Sequence, residues 1–191
     1  MSRRNVVVVL GILLSGIFFS TLSARTLEFN PYLGIFAPTE VNSFDLKNPA
    51  MLGIRGGVFL TRDVGVEANL GYTNHLEFAH TDPKSRGLLW EAEGLYHFRV
   101  GRLRPFAVFG VGALTTLVDK KTLPQTSATL PYFRDGETFF NFSWGGGIKA
   151  MQLWGPMGIR ADLRGRTMAN IRDDTVTACE LTGGLTFDWE R

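Results

Sequence analysis

Stretch after stretch of this 191-residue chain alternates apolar and polar residues with a period of two, and that pattern constrains the fold more than any motif does. In "GPMGIRADLRGR" (Gly155–Arg166), Met157, Ile159, Ala161 and Leu163 share one face of an extended strand, because β side chains alternate sides. Arg160, Asp162, Arg164 and Arg166 share the other. In "MLGIRGGVFLTRDVGVEANLGYTN" the pattern runs twice, either side of a tight "TRD" turn, which predicts a hairpin. The segments "GLLWEAEGLYHF", "TFFNFSWGGGIKA" and "TACELTGGLTFDW" repeat it, "RPFAVFGVGAL" is apolar on both faces, and "EFNPYLGIFAP" alternates least clearly.

Eight strands of about ten residues are therefore predicted, joined by links that alternate in length. After the first, third, fifth and seventh strands stand "TEVNSFDLKNPA", "NHLEFAHTDPKSR", "TLVDKKTLPQTSATLPYFRDGE" and "TMANIRDDT"; after the second, fourth and sixth stand only "TRD", "RVGRL" and "MQLWGP". Long loops on one rim and short turns on the other is the layout of an outer-membrane barrel.

The amino terminus carries Arg3 and Arg4, then an apolar run from Val6 to Phe19, then small residues. This is the pattern of a cleaved export signal, and the run is too short for a spanning helix, which needs roughly 20 residues. The expected organisation is a signal peptide over 1–24 and one domain over 25–191. A net charge of +2 and a 20% charged fraction argue against a nucleic-acid binder and against disorder. One cysteine, Cys179, excludes an internal disulfide and a cysteine-based zinc cluster.

Alternation alone does not say which face is outside. A soluble periplasmic β-protein would bury the apolar face, whereas a membrane barrel turns it outward. Three observations favour the membrane barrel. The polar face carries both charge signs in near balance (Arg55, Lys149, Arg160 and Arg164 against Glu67, Glu91, Glu93, Asp162 and Glu180), as a confined lumen requires. It is also rich in glycine, which suits a narrow interior. Finally, Tyr72, Trp90, Phe98, Phe140, Trp154, Phe187 and Trp189 fall near strand ends, as interfacial girdles do.

The segments "RPFAVFGVGA" (Arg104–Ala113), "WGGGIKA" (Trp144–Ala150), "GIRADLRGR" (Gly158–Arg166) and "LTGGLTFDW" (Leu181–Trp189) resemble the small outer-membrane barrel family, the OmpA-like and OmpX-like β-barrel domains. The resemblance spans nearly all of the mature chain. It implies an all-β, eight-stranded antiparallel up-and-down transmembrane barrel in the outer membrane of a diderm bacterium, with outer-membrane lipid as its surroundings.

Eight strands leave an interior just wide enough for side chains, so those nine charged residues are expected to form an interior ion network rather than to line a conducting pore. The expected role is structural or surface-interacting. The long loop over 115–137, with Lys120, Lys121, Tyr132 and Phe133, is the candidate contact for a host, a phage or another envelope protein. A narrow pore, a lipid-modifying enzyme and a soluble periplasmic barrel are the alternatives. No catalytic, cofactor or metal site is expected. Ser143 and His97 fall toward opposite rims, His75, His80 and Asp82 share a loop without a preorganised partner, and Cys179 lies on the apolar face.

Overall fold

The computed structural model describes residues 26–39, 48–74, 85–98, 100–118, 135–171 and 174–190. The expected leader, His75, His80, Asp82 and most of the 115–137 loop lie outside the described residues. Eight strands follow in order: β1 (Thr26–Pro38), β2 (Ala50–Phe59), β3 (Val64–Thr73), β4 (Ser85–His97), β5 (Leu103–Val118), β6 (Thr138–Trp154), β7 (Met157–Ile171) and β8 (Asp174–Glu190). Each pairs antiparallel with the next, and β8 pairs with β1, closing the barrel. Closure satisfies the backbone without leaving a sheet edge.

The apolar face is outside. Leu33 is 69% exposed and Leu163 58%, whereas their neighbours Tyr32 and Arg164 are 4% and 1% exposed. In water, such a surface of Leu, Ile, Val, Phe and Trp would be a severe aggregation liability, while in a bilayer it is the solvated face. The soluble alternative is thereby set aside. Phe98, Trp154 and Trp189 lie exposed by the short-turn rim, and Tyr72 and Phe140 lie toward the other rim.

The strands are longer than the sequence pattern suggests. β5 continues through Val118, β6 through Trp154 and β7 through Ile171, so "TMANIRDDT" is mostly strand and the β7–β8 link shrinks to residues 172–173. The reason lies in the extensions themselves. Toward the long-loop rim the outward positions become Thr115, Thr138, Thr167, Thr175 and Thr177, while Leu114, Phe139, Met168 and Val176 point inward and are buried. Over the ends of β6, β7 and β8 polar and apolar faces exchange places, as in a soluble β-structure, whereas at the end of β5 Leu117 still faces outward and Thr116 inward. Thr115 and Thr138 hydrogen-bond across the outside of this collar at 3.1 Å.

Candidate functional site

The interior of the barrel is the site where chemistry concentrates. Inward positions fall into three levels, set by strand register. The upper level, toward the long-loop rim, is apolar: Phe36, Met51, Leu89, Leu114, Phe139 and Met168 belong to one buried cluster with Tyr32 at its base.

The middle level is ionic, and Arg55, Arg164, Arg166 and Lys149 are among the largest fully buried side chains of the protein. Asp162 on β7 is its hub. It accepts from Arg160 Nη2 (2.9 Å) and Nε (3.0 Å), from Arg164 Nη2 (2.9 Å) and from Arg55 Nη1 (3.1 Å). Each of these guanidiniums also has a second carboxylate. Arg160 binds Glu67 through both Nη atoms, at 2.7 and 3.1 Å; Arg55 reaches Glu180 at 3.3 Å; Arg164 pairs with Glu93. Arg166 bridges Glu91, at 2.6 Å, and Glu180.

Neutral side chains satisfy further oxygens. Asn69 donates to Glu91 at 3.0 Å and Glu93 at 3.1 Å, Asn141 donates to Glu91 at 2.6 Å, and the Tyr32 hydroxyl donates to Asn69 at 2.9 Å. The Arg55 guanidinium lies 3.9 Å from the Tyr32 ring centroid, which couples the ionic level to the apolar one above it.

The lower level is aromatic. His97 stacks on Phe59 at 4.6 Å between ring centroids and meets Phe106 edge-on at 5.9 Å. Lys149 Nζ lies 5.3 and 5.0 Å from the Phe59 and Phe106 rings and donates to both oxygens of Glu28, at 2.7 and 2.9 Å.

Local sequence explains the fit. Arginine supplies planar, bidentate donors, so four of the five network cations are Arg although the level is crowded. Glycines opposite the carboxylates create the room. A Cβ on Gly112 would overlap the Trp90 carbonyl oxygen and stand 2.7 Å from Glu91 Cγ; one on Gly110 would stand 2.6 Å from Ser143 Oγ and 3.0 Å from Glu93 Cγ.

All nine residues singled out from the sequence (Arg55, Glu67, Glu91, Glu93, Lys149, Arg160, Asp162, Arg164 and Glu180) are buried inside and engaged in this network. Glu28 and Arg166 join them, as do the amides of Asn30, Asn69 and Asn141. Arg166 was legible as a polar-face residue; Glu28 sits in the strand whose alternation is weakest. Ser143 and His97 are not brought together: Ser143 is level with Gly110 of β5 and His97 with Phe106, four residues nearer the short-turn rim. Cys179 is exposed on the outer face. Among the described residues, no cluster of His, Cys, Asp or Glu has metal-site geometry.

A closed antiparallel barrel that is apolar outside, charged within and bounded by aromatic residues is an outer-membrane β-barrel protein. The chain belongs to the family described as "Outer membrane protein beta-barrel domain", which it matches over residues 10–187. Its place is accordingly the outer membrane of a diderm bacterium.

Among solved structures it is similar in fold to Neisserial surface protein A, at TM-score 0.62 and 12% identity, covering 84% of this chain and 96% of that one. OprG of Pseudomonas aeruginosa follows at TM-score 0.60 and 10% identity, with 88% and 98% covered. Ail, the attachment invasion locus protein of Yersinia pestis, gives TM-score 0.57 and 13% identity, with 87% and 99% covered. No curated protein sequence matches significantly.

Proposed function

We propose that this protein is a plugged outer-membrane barrel whose work is done at its outer surface: it anchors and stiffens the envelope and holds its long loops outward as a contact platform. One observation carries the reading. The ionic level is bounded above by the apolar Phe36–Met51–Leu89–Met168 cluster and below by the Phe59, His97 and Phe106 rings packed around the Lys149–Glu28 ion pair, so two filled layers lie in series with it. A conducting path would have to cross both, and the upper one is a low-dielectric constriction of the kind ions avoid.

The collar adds to this. Outward threonines over an apolar interior lift the strand ends beyond the lipid face, which presents the loop bases rigidly. At the base of the 115–137 loop, Thr116 N–H donates to the Glu137 carbonyl at 2.8 Å and Gly136 N–H to the Thr116 carbonyl at 2.8 Å. Neisserial surface protein A and the attachment invasion locus protein are named for the cell surface and for attachment, in keeping with such a role. The partner class is a host, phage or envelope protein at that loop. The protein has no catalytic role in this reading.

Arg160→Ala combined with Arg164→Ala, reconstituted in planar bilayers and unfolded in parallel in vesicles, tests it. A plug loses stability and passes few ions; a pore keeps its fold and changes ion selectivity, which would overturn the reading.

A further inference from the structure

The pairing of β1 with β8 is what turns the sheet into a barrel, and its hydrogen bonds can be followed residue by residue. Thr39 N–H donates to the Thr177 carbonyl at 2.7 Å, whereas Phe36 N–H donates the other way, to the Pro49 carbonyl at 3.0 Å. Successive residues of an inner strand bond alternately to its two neighbours. Odd-numbered residues of β1 therefore bond toward β8, and even-numbered ones toward β2.

Pro31 is odd-numbered and falls opposite Leu185, but proline has no N–H to give. The β1–β8 ladder is interrupted there: Phe29 pairs with Phe187 and Tyr32 with Gly184, and neither Asn30 nor Pro31 pairs between them. The interruptions in β6–β7 and β7–β8 lie close to the rims, but this one is in mid-strand. Phe29 and Leu33 on either side are exposed on the lipid face, so no water is at hand for an orphaned carbonyl.

From inside the lumen, Asn30 Nδ2 donates to the Leu185 carbonyl. The Asn30 amide oxygen in turn accepts from Arg55 Nη1 at 3.2 Å. Arg55 is rooted on β2 and reaches past β1 to Glu180 at 3.3 Å and Thr182 at 3.0 Å, both on β8.

We infer that Asn30 supplies the donor that Pro31 lacks, and that Asn30 and Arg55 together lock the β1–β8 seam, the line along which this barrel opens first. The lock belongs to the lumen network, so the same charges that fill the interior also hold the wall shut. Without it, the Leu185 carbonyl, flanked by lipid-facing residues, has no main-chain donor across the seam. Local opening begins where backbone bonding is thinnest.

Amide hydrogen exchange on the full barrel refolded in lipid nanodiscs tests this. The amides of Leu33, Gly183 and Leu185, which face across the seam, are compared with those of β4–β5. Asn30→Ala is expected to speed seam exchange at least tenfold while β4–β5 keeps its protection. Adding Pro31→Ala restores a main-chain N–H opposite Leu185, so the double variant is expected to recover protection. Uniform acceleration, no acceleration, or a double variant that fails to recover each overturns the proposal. Should Asn30→Ala not fold, restored folding in the double variant supports the lock, and continued failure refutes it.

Discussion

Replacing Asp162 by Ala puts the lumen network to its sharpest test. Counting charges alone predicts little harm: the ion pairs described above join five cations to six carboxylates, so losing one carboxylate brings that count level. Geometry predicts the opposite. Asp162 accepts hydrogen bonds from three guanidiniums at 2.9 to 3.3 Å, and all three are fully buried. Removing one partner of a buried ion pair typically costs about 3–5 kcal/mol. Here Arg55, Arg160 and Arg164 each keep a second carboxylate, in Glu180, Glu67 and Glu93, which holds the expected loss to about 3 kcal/mol rather than a multiple of it. Asp162→Asn retains the shape and one acceptor oxygen, but in either orientation its NH2 group donates toward two guanidiniums that are themselves donors, so the expected loss is also about 3 kcal/mol. Urea unfolding in lipid vesicles, followed by tryptophan fluorescence and by gel mobility with and without boiling, reads both. A loss under about 1 kcal/mol for either Asp162→Ala or Asp162→Asn would refute the hub.

Other substitutions probe the walls and the levels. Leu163→Arg on the lipid face is expected to cost about 2–4 kcal/mol in vesicle unfolding, while Thr138→Arg on the collar costs under about 1 kcal/mol, because the penalty falls with distance from the bilayer midplane. Gly112→Ala forces a methyl group against the Trp90 carbonyl and Glu91, with an expected loss of about 1–3 kcal/mol and a lower refolding yield on gels. Phe139→Ala removes a ring from the upper cluster, and a stability loss of about 3 kcal/mol, read as a lowered urea midpoint, is expected without any gain of conductance, since the ionic level beneath it stays in place.

Much of the barrel was legible in the sequence because the bilayer imposes one rule at each depth. Within the lipid zone every outward residue must be apolar, so "GIRADLRGR" announces both its period and its orientation, and the nine charged residues of the interior can be picked out by parity. Beyond the lipid zone the rule reverses. In "TMANI" the outward residue is Thr167 and the inward one Met168, so a reading tuned to polar-inside loses the phase and takes strand for loop. The apolar upper lumen escaped for the same reason: Leu89 and Leu114 look like a second lipid face until strand register places them over the ionic level. Glu28 and Asn30 were obscured because alternation is weakest around Pro31 in the first strand. Their partners lie on β6, β2 and β8, far away in sequence, where no local pattern reports them.

The central claim is that the lumen is filled and closed, so the most direct measurement is the conductance of the unmodified barrel in planar bilayers, at protein levels where gel mobility certifies folding. The account predicts a baseline indistinguishable from bare lipid. Stable, ion-selective steps from the folded protein would contradict it, because current through this barrel has to pass both the Phe36–Met168 layer and the Phe59–Phe106 layer.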